Sequence, residues 1–341
     1  MPLSYKKAPQ PTSVKWSASH LSSNLTINRA SETRRATMYG VAHKSGFTMV
    51  TVSEDGTKQI QGQVICRPVG HNSALVSESD ARFIPYIVQA VFVNLPIRNI
   101  LVLACTKSIQ IYELDGTTNL HTHVLDKNHP NRTESSIYAR GIAGVGQNLL
   151  CVGNHLGEVL VFNIPQKGST ITLKETITGH QFGITSLVSN ANLLISSDTS
   201  GFILIWNVRT MSQINVIQPI DDSGVTALSI WNNCIVASYA NGMIRFFDPE
   251  NAQICGSIAA HARCINAIDC NERGLLASVG DDCYVRVWKL TGDGENLQIT
   301  HECNQRIENQ QLVGVKFLNL SRSDIAISSY DSSEVTILRA M

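Results

Sequence analysis

The chain has 341 residues, which is enough for two average domains or for one large all-β domain. Hydrophobic residues make up 43% of the chain and charged residues 16%, so the chain can form a sizeable core. The 27 Lys and Arg residues balance the 27 Asp and Glu residues, so the chain has no basic surplus that would attract nucleic acid or an anionic membrane. The nine cysteines are scattered and include no Cys-x-x-Cys pair, which argues against a zinc site or a disulfide framework and favours a reducing compartment, the cytoplasm.

The N-terminal quarter of the chain shows a weak strand pattern. It begins without the apolar segment of a signal peptide, and no later run is long enough to span a membrane. Residues 1–12 predict a flexible N-terminus, and residues 13–17, around Trp16, predict a lone strand. The next apolar stretches predict three further strands, at residues 24–28, 38–43 and 47–52.

From residue 87 onwards, a unit of short strands recurs. Apolar first strands are predicted at residues 87–93, 137–142, 184–188, 225–230, 264–268 and 313–318. Second strands follow at residues 100–105, 148–153, 192–197, 234–238, 275–278 and 324–329. Third strands follow at residues 109–114, 159–164, 203–208, 244–249, 285–290 and 335–340. Outer strands are predicted at residues 63–68, 121–126, 171–176, 214–219, 254–259 and 297–302. Four strands per unit is the composition of a propeller blade.

The length of the repeat can be measured from an aromatic or apolar residue near the end of each third strand. These anchors are Tyr112, Phe162, Trp206, Phe247, Trp288 and Leu338. They lie about 40 to 50 residues apart, close to the period of about 40–45 that is typical of propeller blades. The longest intervals contain polar, turn-rich insertions at residues 115–135 and 291–311, which predict loops at the blade junctions.

Residues 260–290 form the clearest unit. His261 precedes the first strand, Ser278 lies in the second, Asp282 lies in the hairpin and Trp288 ends the third. This pattern resembles the WD40 repeat of β-propellers. The resemblance implies a buried chain of hydrogen bonds through these four side chains, in the order Trp288, Ser278, His261, Asp282. Each donor would then meet an acceptor, as burial requires.

Residues 179–207 match the repeat less completely. His180 and Trp206 occupy the expected positions, and Ser196 or Ser197 could supply the hydroxyl group. Ser200, however, stands where the repeat has Asp. The fold prediction therefore depends on the period more than on the motif of any one unit.

We predict an all-β chain whose residues 1–341 form a single seven-bladed WD40 β-propeller. The strand around Trp16 is expected to complete the last blade, by pairing Val14–Trp16 with the blade that ends at Leu338. Such a clasp closes the ring and removes two sheet edges. The sequence also allows six or eight blades, because the first unit lacks the aromatic anchor.

Residues 138–185 and 241–290 also resemble one particular branch of this repeat family, at positions outside the general repeat as well as within it. The weaker part of the similarity lies before residue 84. This resemblance implies a non-enzymatic, intracellular scaffold, with vesicle or receptor signalling and cilium-associated transport as its expected contexts.

A scaffold that binds other proteins is the function that we expect. In a propeller, the loops before the first strands and the hairpins between second and third strands share one face, and loops on a rigid frame are frequent binding sites. Exposed aromatic and Arg side chains are also enriched in interface hot spots. The candidate contact residues on this face are Gln181, Phe182, Arg263, His155, Tyr239, Asp281 and Tyr330. Self-association is compatible with the sequence.

Catalysis is the alternative, since some propellers are hydrolases and His261, Ser278 and Asp282 are also the residue types of a catalytic triad. A nucleophile must reach its substrate, whereas Ser278 is predicted to lie in a strand between two packed sheets. The sequence contains no HExxH, G-x-S-x-G or P-loop motif. A propeller hydrolase is therefore the weaker hypothesis.

Metal, cofactor and nucleic-acid binding have little support in the sequence. His121, His123 and His129 lie in one insertion, but no acidic or thiol residue has ligand spacing there. The basic pairs at residues 6–7 and 34–35 are isolated and do not form a stripe. We therefore expect no metal, cofactor or nucleic-acid partner.

Overall fold

The computed structural model describes residues 3–28, 35–53, 56–69, 84–125, 137–318 and 323–341. In these ranges the chain forms 29 β-strands in seven antiparallel sheets, together with one short 3-10 turn at Gly294–Asn296. No helix of the described ranges is long and apolar enough to cross a membrane. The sheets follow one another in chain order, as the repeat predicts, and form a seven-bladed β-propeller.

The N-terminal segment contributes two short strands, β1 (Tyr5–Lys7) and β2 (Thr12–Ser13). The first sheet contains β3 (Thr26–Asn28), β4 (Ala36–His43), β5 (Gly46–Ser53) and β6 (Gln59–Ile65). The second contains β7 (Ile87–Asn94), β8 (Asn99–Cys105), β9 (Ser108–Glu113) and β10 (Asn119–Val124). The third contains β11 (Ala139–Val145), β12 (Leu149–Asn154), β13 (Glu158–Asn163) and β14 (Thr172–Thr178).

The fourth sheet contains β15 (Ile184–Ser189), β16 (Leu193–Asp198), β17 (Ile203–Asn207) and β18 (Gln213–Ile217). The fifth contains β19 (Val225–Trp231), β20 (Cys234–Tyr239), β21 (Met243–Phe247) and β22 (Ile254–Ala259). The sixth contains β23 (Ile265–Cys270), β24 (Leu275–Gly280), β25 (Tyr284–Thr291) and β26 (Gln298–Arg306). The seventh contains β27 (Leu312–Phe317), β28 (Ile325–Ser329) and β29 (Glu334–Ala340), and β1 and β2 complete it by pairing with β29.

Apolar side chains fill the spaces between consecutive sheets and close the ring. The buried hydrophobic residues of the described chain form seven clusters, and each cluster joins two neighbouring sheets. Strands that lie between two sheets are buried on both faces, so they have nearly continuous apolar sequences. In β8, for example, all residues after Asn99 are buried. This arrangement explains why short apolar runs located the strands correctly.

The N-terminal clasp begins earlier than the sequence suggested. Residues 1–12, expected to be flexible, instead contain β1, in which Tyr5 lies opposite Ala340. The predicted strand at residues 13–17 is also wrong in extent, because pairing with β29 stops at Ser13. After that point, Val14 is held by a hydrogen bond from its backbone N–H to the Ser333 carbonyl (2.8 Å) and by packing between the seventh and first sheets.

The two predicted insertions are less loop-like than expected. Within residues 115–135, β10 forms the outer strand of the second sheet, and residues 126–136 lie outside the described ranges. Within residues 291–311, β26 runs for nine residues and pairs with β25 from Gln298 to Arg306. Nine residues of this second insertion therefore form an outer strand that lengthens a blade, and most of their side chains are exposed or partly exposed.

Candidate interaction face

One face of the ring gathers two kinds of connection, and we call it the upper face. It contains the segments before the innermost strands, at residues 18–25, 84–86, 137–138, 179–183, 218–224, 260–264 and 307–311. It also contains the hairpins at residues 44–45, 106–107, 155–157, 199–202, 240–242, 281–283 and 330–333. Backbone hydrogen bonds tie these connections to one another, for example from His155 N–H to the Tyr138 carbonyl (3.0 Å). The face is thus a rigid surface.

Beneath the upper face, a polar network fixes the sixth sheet. The two ring nitrogens of His261 lie 2.8 Å from Asp282 Oδ1 and 2.8 Å from Ser278 Oγ. Asp282 also accepts hydrogen bonds from Arg286 (3.0 Å) and from the backbone N–H of Tyr284 (3.2 Å). Burial raises the pKa of Asp282, but hydrogen bonds from His261 and from the backbone N–H groups of Tyr284 and Ala262 outweigh this effect, so the pKa is lowered and the carboxylate stays ionised.

Trp288 does not join this network, contrary to the prediction from the repeat. Its indole nitrogen is buried without a hydrogen-bond partner in the described chain, and the ring packs edge-on against His301, with the ring centres 5.1 Å apart. The residue before the histidine differs between the two sheets. The fourth sheet has Gly179 there, in close contact with Trp206, and a Cβ at that position would lie 2.8 Å from the ring. The sixth sheet has the buried residue Ala260 at the corresponding position.

The fourth sheet contains the complete hydrogen-bonded chain that the sequence assigned to the sixth. The Trp206 indole N–H donates to Ser196 Oγ (2.8 Å), and Ser196 Oγ lies 2.7 Å from His180 Nε2. His180 Nδ1 lies 2.9 Å from Asp198 Oδ2. Because Ser196 Oγ accepts from the indole, its own proton points to His180, whose other nitrogen then donates to Asp198.

Asp198 is the residue that the sequence analysis missed. The expected position four residues after Ser196 is held by Ser200, whose hydroxyl donates to Asp198 Oδ1 (2.7 Å). The acid lies two residues earlier, at the end of β16, and is fully buried. Burial raises its pKa, but hydrogen bonds from His180 and Ser200 lower it further than burial raises it. Ser197, the other candidate, contacts Thr185 Oγ1 instead (2.8 Å).

The fifth sheet uses an ion pair at the corresponding place. Arg245 on β21 donates to Asp221 in the segment before β19, and its guanidinium stacks over Tyr239 at 4.4 Å from the ring centre. The hydrogen bond from Arg245 is the main reason why the pKa of Asp221 is lowered. No motif of the repeat contains this pair, so it could not be predicted from the repeat pattern.

These networks brace the blades and do not present a nucleophile. The hydroxyl groups of Ser196 and Ser278 lie in fully buried residues, and Ser196 Oγ accepts the Trp206 indole N–H. A hydrolase needs an oxygen that substrate can reach. The Ser, His and Asp residues of the fourth and sixth sheets therefore hold strands together in this structure.

The predicted contact residues divide into exposed and buried groups. Gln181, Phe182, Arg263 and Tyr330 are exposed on the upper face. Asp281 is half-buried and accepts hydrogen bonds from Asn266 (2.6 Å) and Gln311 (2.7 Å).

Two of the predicted contact residues were wrongly placed, because His155 and Tyr239 are buried. His155 packs against the ring of Tyr138, and Tyr239 lies beneath Arg245. Both residues lie at or beside a hairpin end, where these side chains of the same blade pack against them.

The upper face also exposes apolar residues that the sequence analysis did not name. Tyr86 is 54% exposed, Ile220 is 53% exposed and Ile84 is 47% exposed, similar to Phe182 at 50% and Tyr330 at 49%. Tyr86 and Phe182 each lie just before an innermost strand: Tyr86 precedes β7, and Phe182 precedes β15. This position in the repeat could also have identified Tyr86, since Phe182 is a candidate for the same reason. The connections on the opposite face expose no large hydrophobic residue in the described ranges.

A family model described as WDR54 matches residues 8–341. The chain belongs to this family. WD repeat-containing protein 54 of Homo sapiens is 31% identical over 334 residues, which cover 94% of this chain and 96% of the relative, and the Mus musculus protein is 31% identical over 331 residues, which cover 94% of this chain and 95% of the relative. A chain in a structure titled "Crystal Structure of Mitotic Checkpoint Complex" superimposes with a TM-score of 0.71 at 12% identity, covering 99% of this chain and 94% of that chain, which shows the fold alone.

Membership of the WDR54 family makes this chain a WD-repeat propeller, a type of protein that generally binds other proteins. The matched range contains every strand of the seven sheets except β1, which ends at Lys7. The clasp strand β1 is therefore a feature of this chain that the family model does not cover.

The histidines of the second sheet pack as hydrophobic groups in this WDR54-family propeller. The rings of His121 and His123 lie 6.0 and 5.3 Å from the ring of Phe162 in the third sheet. Burial lowers the pKa of both histidines. His129 lies outside the described residues. Among the described residues, no three His, Cys, Asp or Glu side chains are grouped in a way that could hold a metal ion.

Proposed function

We propose that this protein is a non-enzymatic scaffold that binds partner proteins through the upper face of its propeller. The observation that carries the proposal is the uneven distribution of exposed apolar side chains. Five large ones, Ile84, Tyr86, Phe182, Ile220 and Tyr330, lie on the upper face, while the opposite connections of the described chain expose none. Aromatic groups on a rigid surface provide contact area at low entropic cost, so they are typical interface anchors.

The proposal extends to the cellular setting. All nine cysteines are free thiols, which supports a reducing compartment, and we propose the cytoplasm with vesicle or ciliary complexes as sites of action. A fluorescent fusion imaged in ciliated cells tests this part. Uniform cytoplasmic signal without vesicle or cilium enrichment would reject the association while leaving the scaffold proposal intact.

Affinity purification tests the interaction face. The Phe182→Ala/Tyr330→Ala double variant should recover partner proteins at least about tenfold less well than the wild type, since a hot-spot side chain contributes about 2 kcal/mol or more. The matched control is Ile214→Thr, because Ile214 is 52% exposed but lies on the outer strand β18. Melting temperatures check that all variants fold. Unchanged partner recovery by the double variant, or an equal loss in the control, would reject the upper face as the binding surface.

A further inference from the structure

Two thiol groups face each other at the junction of the first and second sheets. Cys66 Sγ lies 3.5 Å from Cys105 Sγ. Cys66 directly follows the outer strand β6, and Cys105 is the last residue of β8. Both residues are buried in the apolar cluster that joins these two sheets. The pair is therefore a contact between two neighbouring blades, beneath the upper face.

Other blades have a different contact at this place. In the fourth sheet, His180 follows an outer strand and Asp198 ends a second strand, and their side chains are 2.9 Å apart. A carboxylate and an imidazole form a strong, charge-assisted hydrogen bond, whereas two thiols form only a weak one. The chemistry that Cys66 and Cys105 add to this position is the ability to form a covalent bond with each other.

The positions of Cys66 and Cys105 suit a disulfide. The sulfurs of a disulfide lie about 2.05 Å apart, so these two must approach each other by about 1.5 Å. Cys66 lies after the end of its strand, so its backbone can shift without breaking the pairing of β6 with β5. By contrast, Cys234 and Cys255 lie in β20 and β22 with β21 between them. Two strand spacings separate their Cα atoms by about 9–10 Å, which is beyond the limit of about 7 Å for a disulfide.

The side chain of Gln110 holds the segment that contains Cys66 in place. The Arg67 backbone N–H donates to Gln110 Oε1 (2.8 Å), and Gln110 Nε2 donates to the Arg67 carbonyl (2.8 Å). The Tyr112 hydroxyl also donates to Gln110 Oε1 (2.7 Å), which fixes the orientation of the amide. These bonds tie the segment to β9. A small reagent therefore reaches the buried sulfurs when the segment opens locally.

We propose that hydrogen peroxide converts Cys66 and Cys105 into a reversible disulfide that links the first sheet to the second. Cys66 Sγ attacks one peroxide oxygen, so that the S–O bond forms, the O–O bond breaks and the Cys66 proton leaves in a water molecule. Cys105 Sγ then attacks the sulfenic sulfur of Cys66. The S–S bond forms, the S–O bond breaks and the Cys105 proton leaves in a second water. Two thiols lose two electrons in total, and one peroxide gains them.

The order of these steps follows from the surroundings of Cys105. Burial is the main reason why the pKa of the Cys105 thiol is raised, so Cys105 stays protonated and is the poorer first nucleophile. A dithiol reductant reverses the reaction by thiol–disulfide exchange. In a reducing compartment the bond would be transient, as is typical of cytosolic disulfides that sense oxidants.

The disulfide would also restrain part of the upper face. The Thr106 backbone N–H donates to the Tyr86 carbonyl (2.8 Å), and the Tyr86 backbone N–H donates to Thr106 Oγ1 (2.9 Å). Thr106 directly follows Cys105, so a covalent link at Cys105 limits the motion of Thr106 and of the exposed residue Tyr86. This effect does not depend on the scaffold function.

Mass spectrometry of the folded protein after treatment with hydrogen peroxide tests the proposal. A digest prepared without reductant should contain the Cys66 peptide joined to the Cys105 peptide, and a dithiol should separate them. Cys66→Ser and Cys105→Ser should each abolish this crosslink. Cys151→Ser is the matched control, because it removes a buried cysteine from the junction of the third and fourth sheets, and it should keep the crosslink.

A second variant tests the role of the Gln110 side chain. Gln110→Ala frees the Cys66 segment and should speed crosslinking about fivefold or more, the factor for loss of a typical hydrogen bond. Gln89→Ala is the control, because Gln89 accepts a backbone hydrogen bond from Gly141 (2.8 Å) at the next junction, and it should leave the rate unchanged. Equal rates for Gln110→Ala and the wild type would contradict the proposed route of access.

Hydrogen exchange provides a readout at the upper face. Oxidation should slow exchange of the Tyr86 and Thr106 backbone amides in the wild type and have no such effect in Cys66→Ser. Unchanged exchange in the crosslinked wild type would overturn the proposed restraint of this face.

The wild-type experiment decides the proposal even if a cysteine variant does not fold. Recovery of Cys66 and Cys105 as unmodified or sulfinic residues after peroxide treatment would overturn the inference. A crosslink that forms only in denaturant, or a Cys234–Cys255 crosslink that forms at least as fast, would also overturn it.

Discussion

Gly179 lies so close to Trp206 that a side chain at residue 179 would come within 2.8 Å of the indole ring. The fourth and sixth sheets differ at this position, and they differ in whether the tryptophan reaches the serine of the same blade. In the fourth sheet the space is open, and Trp206 donates to Ser196. In the sixth sheet the corresponding residue is Ala260, and the Trp288 indole nitrogen has no hydrogen-bond partner in the described chain. We expect the methyl group of Ala260 to be the reason why the network of the sixth sheet is incomplete.

Replacing Gly179 by Ala should expel Trp206 from its site. Overpacking costs about 1–3 kcal/mol, and loss of the indole hydrogen bond adds about 1 kcal/mol. We expect a lower free energy of unfolding in chemical denaturation and faster exchange of the Trp206 indole proton in NMR spectra. The reverse variant, Ala260→Gly, gives Trp288 room and should slow exchange of its indole proton. A Gly179→Ala protein with native stability and unchanged exchange would contradict this role of the glycine.

The two tryptophans should also differ when each is removed. Trp206 is 3% exposed and hydrogen-bonded, so Trp206→Ala should reduce stability by about 3–5 kcal/mol, as for other buried aromatics. Trp288 is half-buried and packs mainly against His301, so Trp288→Ala should cost less, about 1–3 kcal/mol. Urea denaturation of both variants measures the difference. Equal losses would show that the indole hydrogen bond and deeper burial of Trp206 have no energetic consequence.

The strands of the blades could be predicted from the sequence because each strand is buried by strands of the same sheet or of the next sheet along the chain. Short apolar runs and turn residues located the strands, and the period counted the sheets. The polar network was harder to predict, because Asp198 reaches His180 from the end of β16 while the motif points to Ser200. The ion pair of Arg245 with Asp221 replaces the motif altogether. Such substitutions are visible only once the backbone brings the groups together.

The acid sensitivity of the fold should depend on Asp198. Its folded-state pKa is lower than the unfolded value of about 3.9, so the ionised form contributes stability above that pH. The contribution is lost as the pH falls through the folded-state pKa. Asp198→Asn should cost about 1–3 kcal/mol at neutral pH, since it disrupts the hydrogen bonds of His180 and Ser200, and the gap to the wild type should narrow in acid.

Denaturation curves from neutral pH to about pH 2 provide the test of this pH dependence. Asp331→Asn is the matched control, because Asp331 is an exposed acid of an upper-face hairpin. The free energy of unfolding of Asp331→Asn should change with pH in the same way as that of the wild type. If the gap between Asp198→Asn and the wild type stayed constant at every pH, ionisation of Asp198 would not be linked to folding.

We expect β1, at the start of the chain, to contribute most of the stability of the clasp. Tyr5 is buried between the sixth and seventh sheets, and its hydroxyl donates to the Ser323 carbonyl (3.1 Å). The strand β29, with which β1 pairs, lies more than three hundred residues later in the chain, so no local sequence pattern predicts the pairing. Deleting residues 1–13 should expose the edge of β29, lower the melting temperature and promote self-association through that edge.

Point variants separate the clasp from a general effect of truncation. Tyr5→Ala should cost about 2–4 kcal/mol, because it removes a buried ring and a hydrogen bond. Lys6→Ala changes an exposed residue of the same strand and should leave the melting temperature unchanged. Calorimetry and size-exclusion chromatography give both readouts. A truncated protein that melts like the intact chain and stays monomeric would mean that β2 and the packing of Val14 close the ring without β1.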